Sequence, residues 1–300
     1  MTTLITILGP TATGKTTLAA SLASVLGAEI ISADSRQVYR GMNIGTGKDL
    51  GEYLVDGKQI PLHLIDIADP GDEYNVFRFR KDFSAACKDI FLHGDNAILC
   101  GGSGMYLSSV LQDYQLAETS WDPEEMKILE KKSDKQLISI LQLLKTPHNT
   151  TDLLDRKRLI RAIMIGRSGK TIPSMPVFER KHTFGISFER STLRQRITNR
   201  LDYRLQNGMI EEVQGLLDSG TTPEQLKFYG LEYRYITAYL GNEITYHEMF
   251  RLLNIAIHQF AKRQMTWFRR MEHNGVEIHW IDGNLSLENK MEIILRLQVE

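Results

Sequence analysis

The segment from Gly9 to Thr16 has the residue types and the spacing that bind phosphate. It reads GPTATGKT and matches the pattern G-x-x-x-x-G-K-[ST]. Glycines let backbone N–H groups curl around phosphate oxygens, and the start of a following helix adds the positive end of its dipole. Lys15 is expected to reach the terminal phosphate, and the Thr16 hydroxyl suits Mg²⁺. The predicted phosphate-binding residues are Gly9, Pro10, Thr11, Ala12, Thr13, Gly14, Lys15 and Thr16, with Thr16 as the metal ligand.

The phosphate loop by itself does not say what is done with the phosphate. Proteins that hydrolyse nucleoside triphosphates usually carry an Asp at the end of an apolar strand to hold Mg²⁺. The best candidate strand here ends at Leu99–Gly102 without an Asp, although Asp66 and Asp282 end other apolar runs. The pattern therefore lowers the expectation of an ordinary ATPase without excluding one.

Two polar segments directly follow predicted strands. DSRQVYR begins at Asp34 after the strand EIIS, and GGSGMY spans Gly101–Tyr106 after the strand AILC. Open α/β folds bind ligands at the carboxyl edge of their strands, so both segments are candidates for a site beside the phosphate loop. Asp34 could serve there or cap the next helix. Ser103 could donate a hydrogen bond to a phosphate or leaving oxygen, or cap a helix at a tight turn. The local pattern leaves both alternatives open.

Strands alternate with helices in the first part of the chain. Short apolar runs at residues 3–8, 29–32, 63–67 and 97–100 are typical of buried parallel strands, and segments with helical spacing separate them. We therefore expect an α/β fold with a P-loop, doubly wound parallel-sheet core.

The alternation stops after the first 113 residues. Residues 122–145 are helical and charged without a strand pattern, and residues 171–185 are polar and irregular. We therefore predict a helical insertion domain over residues 114–189, with residues 1–113 and 190–300 forming the catalytic core.

The second half of the chain contains further periodic segments. A helix is predicted over residues 152–165 within the insertion. Long amphipathic C-terminal helices are predicted over residues 193–217 and 246–271, and a final strand over residues 276–281.

Basic residues form three stripes, although the chain as a whole has 36 basic and 37 acidic residues and a net charge of −1. Because the net charge is close to zero, bulk charge gives no indication of a nucleic-acid partner. A single basic stripe is usually a solvated face of a helix. Three stripes in one nearly neutral chain favour an RNA surface. They consist of Arg156, Lys157, Arg158 and Arg161; of Arg196, Arg200 and Arg204; and of Arg251, His258, Lys262, Thr266 and Arg269.

Composition is that of an ordinary globular chain, with 42% hydrophobic and 24% charged residues. No apolar run approaches the roughly 18 residues of a membrane span, and the phosphate loop already begins at Gly9. We therefore expect a cytoplasmic protein without a membrane partner, and a monomer. Cys87 and Cys100 are too few for a zinc site and are expected to be reduced core residues.

Seven segments taken in order resemble the tRNA dimethylallyltransferase (tRNA isopentenyltransferase) family. The combination spans the whole chain and is very specific, above all the stretch ISADSRQVYRGM. The segments are Gly9–Thr16 (GPTATGKT), Ile31–Met42 (ISADSRQVYRGM), Ile44–Thr46 (IGT), His63–Pro70 (HLIDIADP), Gly101–Tyr106 (GGSGMY), Arg158–Ala162 (RLIRA) and Lys262–Arg269 (KRQMTWFR).

The resemblance implies transfer of a dimethylallyl group from dimethylallyl diphosphate to N6 of the adenosine on the 3′ side of the tRNA anticodon. Asp34 then takes the position of the general base, and Ser103 matches a family Thr that contacts the diphosphate. Mg²⁺ is the implied cofactor, and the anticodon stem-loop of tRNA is the implied partner. The implied tRNA-binding residues are Asp34, Ser35, Arg36, Gln37, Lys157, Arg158, Arg161, Lys227, Lys262, Arg263, Gln264, Trp267 and Arg269.

The chain departs from the family pattern before and within the late helices. Lys227 replaces the usual Arg, while Leu231 and Glu232 replace a Tyr and a cation. His258 stands where an Arg is common. At these four positions the family's diphosphate and RNA contacts do not follow directly from the resemblance, although Lys227 keeps the positive charge of the Arg that it replaces.

Three other functions remain as alternatives. A free-adenine-nucleotide isopentenyltransferase needs no RNA surface, which the basic stripes and the insertion oppose. A small-molecule P-loop kinase offers no account of the segment KRQMTWFR. A non-enzymatic RNA-binding module leaves Asp34 and the phosphate loop unexplained.

Overall fold

The computed structural model describes residues 2–94, 96–113, 123–144, 155–168 and 175–298. The chain forms two compact units, one of residues 1–112 together with 175–300, and one of residues 113–174. Among the described residues, no helix combines the length and the apolar character needed to cross a lipid bilayer.

A six-stranded parallel sheet forms the centre of the larger unit. Its strands are β1 (Thr3–Leu8), β2 (Glu29–Ala33), β5 (Leu62–His63), β6 (Asn96–Gly101), β7 (Arg180–Ser187) and β8 (His279–Asp282), in the order β5-β2-β6-β1-β7-β8. A short antiparallel hairpin, β3 (Leu54–Val55) with β4 (Lys58–Gln59), stands apart from this sheet.

Helices surround the sheet and make up the described part of the smaller unit. Those of the smaller unit are α4, α5 and α6. In chain order the helices are α1 (Lys15–Leu26), α2 (Val76–His93), α3 (Gly104–Leu111), α4 (Pro123–Glu130), α5 (Asp134–Leu144), α6 (Arg156–Ser168), α7 (Arg190–Gln206), α8 (Met209–Asp218), α9 (Pro223–Tyr229), α10 (Leu231–Leu240), α11 (Tyr246–His273) and α12 (Leu287–Leu297); a 3-10 turn covers Leu50–Tyr53.

Both faces of the sheet are covered, which confirms the predicted doubly wound core. Successive side chains along a strand point to opposite faces, so Leu4 and Ile5 of β1 enter different hydrophobic clusters. Leu4 packs on the face covered by α2, α3 and α11, whereas Ile5 packs on the face covered by α1 and α12. Burial on both faces explains why the central strands are continuous apolar runs.

The smaller unit has its own apolar core. Leu129 of α4, Leu141 of α5 and Ile163 of α6 are buried together. The helices predicted over residues 122–145 and 152–165 are present here, divided into α4, α5 and α6; residues 145–154 lie outside the described part of the chain.

The predicted boundary of the insertion at residue 189 is wrong. Residues 180–187 form β7 between β1 and β8, although most of them fall in the segment 171–185 that was predicted to be irregular. The larger unit already resumes at Met175. Only Thr183–Ile186 of this strand are fully buried, after the charged Arg180 and Lys181. An apolar run this short does not distinguish a strand from a loop.

Three further elements differ from their predicted bounds. The helix predicted over residues 193–217 is interrupted at Gly208, whose φ of 96° starts the separate helix α8. The strand predicted over residues 63–67 pairs only at Leu62–His63, because Leu64 and Asp66 have positive φ. The final strand begins at His279, and the unpredicted α12 follows it.

Candidate active site

Three loops meet at the carboxyl edge of β2, β6 and β1, which are neighbours in the sheet. The phosphate loop follows β1, Asp34 follows β2, and the turn with Ser103 follows β6. Together they line one cleft of about 1220 Å³. The expectation drawn from the strand ends is therefore confirmed: the structure brings Lys15, Asp34 and Ser103 to the same cavity.

The phosphate loop already has the shape that anion binding requires. Ala12 and Gly14 have positive φ of 65° and 77°, so the backbone curls before α1 begins at Lys15. The Lys15 Nζ donates to the Pro10 carbonyl at 2.8 Å, and the Thr13 hydroxyl donates to the same oxygen at 2.9 Å. Backbone amides at the start of α1 and one lysine thus face the cleft.

Burial sets the protonation of Lys15. Desolvation lowers the pKa of its ammonium from 10.5 to about 8, and the charge of nearby Arg200 acts in the same direction. The carboxylates of Asp34 and Glu52 oppose this shift. Lys15 is therefore a cation that an entering anion would stabilise.

Asp34 lies in a turn rather than at the start of a helix. Its Oδ1 accepts the backbone N–H of Arg36 at 2.9 Å, and the following residues form turns. The helix-cap alternative is therefore wrong, and Asp34 is a half-buried carboxylate that lines the cleft.

Ser103 joins two of the three loops. It occupies the N-cap position of α3, but its side chain makes no cap hydrogen bond. Its Oγ instead accepts the backbone N–H of Ser35 at 3.0 Å. A Cβ at Gly101 would overlap Ala33, which shows why a glycine permits this close approach of β6 and β2.

Gln264 and Trp267, predicted as RNA contacts, are engaged inside the protein. Gln264 is buried, accepts the backbone N–H of Thr11 and donates to the Gly102 carbonyl, both at 2.9 Å. The ring of Trp267 lies where a Cβ at Gly104 would be, and its Nε1 donates to Ser108 at 2.6 Å. Both side chains lie on the inner face of α11 and support the residues around the cleft, which Gln264 also lines. Their contact with RNA stays a prediction.

The remaining predicted RNA-binding residues occupy different environments. Lys262, Arg263 and Arg269 are exposed on α11. Arg36 lies 5.4 Å from the ring centroid of Phe228 at the cleft, while Gln37 is bonded to Ser32 and to the Gly47 carbonyl. In the smaller unit, Lys157 is exposed and Arg161 half-buried on α6; the side chain of Arg158 lies outside what the structure describes.

The basic stripe on α7 faces the phosphate loop. The Arg196 Nε donates to the Ala12 carbonyl at 2.9 Å, and Arg200 reaches the Thr11 hydroxyl at 3.2 Å. Arg204, the third member, also lines the cleft. The period of four residues was visible in the sequence, but only the structure shows that the stripe meets the phosphate loop. Its contact with RNA stays a prediction.

Glu212 of α8 is a structural residue that the sequence did not reveal. Its carboxylate accepts the backbone N–H groups of Asn43, Ile44 and Gly45 at 2.9, 2.7 and 3.0 Å, and the Tyr233 hydroxyl at 2.7 Å. These bonds fasten the loop that runs on to Asp49 and Glu52 at the cleft.

Three of the four departures from the family pattern line the cleft, and the fourth lies outside it. Lys227 and Glu232 line the cleft, as does Leu231; Lys227 also pairs with Glu243 at 3.3 Å. Burial raises the pKa of Glu232, against the effect of nearby Arg204. His258 approaches the Arg194 carbonyl at 3.3 Å.

Comparisons with known proteins identify the family of the chain. The family model described as IPP transferase matches residues 37–271. "tRNA dimethylallyltransferase 2" of Bacteroides fragilis is 50% identical over 297 residues, which is 97% of this chain and 96% of the relative. The protein of the same name from Phocaeicola vulgatus is 51% identical over 300 residues, covering 98% and 97%.

Solved structures show the same architecture. The full-length tRNA isopentenylpyrophosphate transferase of Bacillus halodurans superposes with a TM-score of 0.72 at 30% identity, covering 100% of this chain and 96% of that one. A eukaryotic dimethylallyltransferase acting on tRNA shares the fold with a TM-score of 0.75 at 23% identity, covering 94% and 74%. On the family model and the near full-length relatives, the chain belongs to the IPP transferase family.

Proposed function

We propose that this protein transfers a dimethylallyl group from dimethylallyl diphosphate to N6 of the adenosine on the 3′ side of the anticodon in tRNA. The observation that carries the proposal is the meeting of a phosphate loop and the Asp34 carboxylate in one cleft. The names of the near full-length relatives indicate that the acceptor is a tRNA.

The reaction needs a base beside the acceptor amine and an anion-binding site for the leaving diphosphate. The N6 amine is a weak nucleophile because its lone pair is delocalised into the purine ring. As N6 bonds to C1 of the dimethylallyl group, the C–O bond to diphosphate breaks and its electron pair leaves with the diphosphate. Asp34 takes the N6 proton. Lys15 and the loop amides stabilise the charge that develops on the leaving group.

The donor set at the loop fits a Mg²⁺ ion that arrives with the diphosphate. Mg²⁺ usually keeps several waters and binds through few protein oxygens plus substrate phosphates. Thr16 supplies one hydroxyl at the cleft, next to Tyr53. Within the described part of the chain there is no cluster of three or more His, Cys, Asp or Glu residues that could hold a metal. When bound, the ion would neutralise diphosphate charge, and Thr16 is the residue that we propose to hold it.

Binding of dimethylallyl diphosphate is expected to weaken as the pH rises through about 8. The pKa of Lys15 is about 8 in the free protein, and a bound anion raises this pKa. The contribution of the Lys15 charge to diphosphate binding is therefore fully present below pH 8 and is lost progressively above it. The dissociation constant should rise about tenfold between pH 7 and 9. Calorimetric titrations across this range measure it.

Lys15→Arg provides the matched control, because guanidinium stays charged at these pH values. The dissociation constant of the Lys15→Arg variant should stay nearly constant over the pH range in which that of the unchanged protein rises. Equal pH dependence in both proteins would assign the effect to another group.

The acceptor experiment separates the alternatives. Labelled dimethylallyl diphosphate should modify an unmodified anticodon stem-loop far better than AMP. Binding of the stem-loop should also weaken steeply with salt, with a log–log slope of about 2 or more for three phosphates at about 0.7 each. Replacing the exposed Lys262 and Arg269 by Ala should make that slope shallower by about 1.4.

Two results would contradict the proposal that the acceptor is RNA. Equal modification of AMP, with no change of salt slope in the double variant, would indicate the free-nucleotide enzyme. Phosphate transfer from ATP without any dimethylallyl transfer would indicate the kinase.

A further inference from the structure

Residues 43–48 form a loop that carries its own hydrogen bonds. The Gly47 N–H donates to the Ile44 carbonyl at 3.1 Å, and the Lys48 N–H donates to the Asn43 carbonyl at 2.9 Å. The central residues of this loop line the cleft. Because the loop is bonded internally, a shift of the backbone at its start also moves the backbone at its end.

The start of the loop is held by Glu212 of α8. Its carboxylate accepts the three backbone N–H groups of residues 43–45 and the Tyr233 hydroxyl. A Cβ at Gly45 would lie 2.7 Å from the Tyr233 ring, so a glycine permits the close approach of the loop to α10. Burial, and then the Glu212 carboxylate, raise the pKa of Tyr233, which therefore stays a donor. Four donors on one carboxylate make a strong anchor.

The end of the loop holds the side chain of Gln37. The Gln37 Nε2 donates to the Gly47 carbonyl at 3.1 Å, and the Gln37 Oε1 accepts the Ser32 hydroxyl at 3.1 Å. Ser32 belongs to β2, so the amide lies between the sheet and the loop. The buried Lys48 donates to the Tyr39 carbonyl at 2.8 Å and ties the same end of the loop to the segment that carries Gln37. The position of the Gly47 carbonyl therefore sets the direction of the Gln37 amide.

The Gln37 amide keeps hydrogen-bonding capacity for a ligand. A glutamine amide has two N–H donors and two oxygen lone pairs, and the bonds to Ser32 and Gly47 use one of each. Within the described part of the chain, one donor and one lone pair remain, on a side chain that lines the cleft. An adenine offers the matching groups, an amine beside a ring nitrogen. Such pairing depends on the orientation of the amide plane.

We propose that Glu212 is a positioning residue for the RNA acceptor: through the backbone of residues 43–47 it fixes the orientation of the Gln37 amide toward the target adenine. This assignment rests on the proposed function, in which that adenine is the acceptor. Glu212 is not among the described residues that line the cleft. It therefore acts through Gln37 and does not touch the substrate.

Binding of the anticodon stem-loop to a Glu212→Gln variant tests the assignment. The variant loses the charge and places an NH₂ group among N–H donors, so the loop shifts. The dissociation constant of the stem-loop should rise about 3- to 10-fold, as for one lost hydrogen bond to the base. Hydrogen exchange at residues 43–45 should become faster. Glu211→Gln is the matched control: this exposed neighbour on α8 carries the same charge, and its variant should behave as the unchanged protein does.

A double-variant cycle distinguishes positioning from a general loss of stability. Gln37→Met removes the amide at nearly the same length and should weaken stem-loop binding by a similar factor. If Glu212 acts through Gln37, adding Glu212→Gln to Gln37→Met should change the dissociation constant less than about twofold, whereas independent roles would multiply the two losses. Inorganic diphosphate with Mg²⁺ should bind within about threefold in every variant, because the phosphate loop is held by its own bonds and by Gln264.

The outcomes distinguish this assignment from the proposed function. If Glu212→Gln binds the stem-loop as Glu211→Gln does, if the two losses multiply, or if Glu212→Gln loses diphosphate binding, Glu212 does not position Gln37, whether or not the unchanged protein transfers a dimethylallyl group. If the predicted pattern of binding appears but the unchanged protein transfers nothing to the stem-loop, the proposed function is wrong and the positioning assignment remains. An unchanged protein that does not bind the stem-loop would contradict both.

Discussion

Replacing Asp34 by asparagine is expected to lower kcat for dimethylallyl transfer by about 10²- to 10⁴-fold, which is the usual contribution of a general base. Asparagine has nearly the same shape, and its amide oxygen can still accept the Arg36 N–H that holds the turn. It cannot take the N6 proton. Single-turnover rates with saturating stem-loop and dimethylallyl diphosphate report the loss directly.

Binding measurements show whether the loss is chemical. Both substrates should bind the Asp34→Asn variant within a few-fold of the unchanged protein, because no phosphate contact is removed. Asp56→Asn is the matched control: Asp56 is exposed in the turn between β3 and β4 and has a positive φ that asparagine tolerates. Retention of more than about a tenth of kcat in Asp34→Asn would mean that another group is the base.

Replacing Lys15 by alanine is expected to weaken dimethylallyl diphosphate binding by about 30-fold or more. Removing one partner of a buried charge pair costs about 2–5 kcal/mol, and every 1.4 kcal/mol is a factor of ten. The tRNA stem-loop should bind within a few-fold, since the Lys15 Nζ bonds within the phosphate loop, to the Pro10 carbonyl. Equilibrium titrations with each substrate measure the two affinities separately.

The exposed Lys58 of β4 supplies the control for this change. Lys58→Ala removes the same charge from the chain without touching the cleft, so both affinities should remain unchanged. Equal losses for diphosphate and RNA in Lys15→Ala would contradict the assignment of Lys15 to the phosphate.

The sequence by itself determined the phosphate loop and the ligand edge of the sheet. Eight consecutive residues specify the loop because glycine positions and the start of α1 are local properties of the chain. Placement of Asp34 and Ser103 beside it follows equally directly, since each follows a strand and parallel strands end at one edge. The family resemblance then indicated the chemistry at that edge.

Only the tertiary structure decided what the helix faces meet. Helical spacing shows that Arg200 and Arg204 share a face, but a face turned to water and a face turned to a cleft have the same period. The same limit applies to Gln264, which is polar in sequence yet buried, because Thr11 and Gly102 satisfy its amide from distant parts of the chain.

Contacts with distant parts of the chain also determine the structure of segments that have no regular sequence pattern. Asp49 reaches the cleft because Glu212, far along the chain, fastens the loop before it through three backbone N–H groups. β7 is a strand because β1 and β8 supply hydrogen bonds on both sides. A short apolar run does not encode such non-local pairing, so periodicity alone left these residues in a loop.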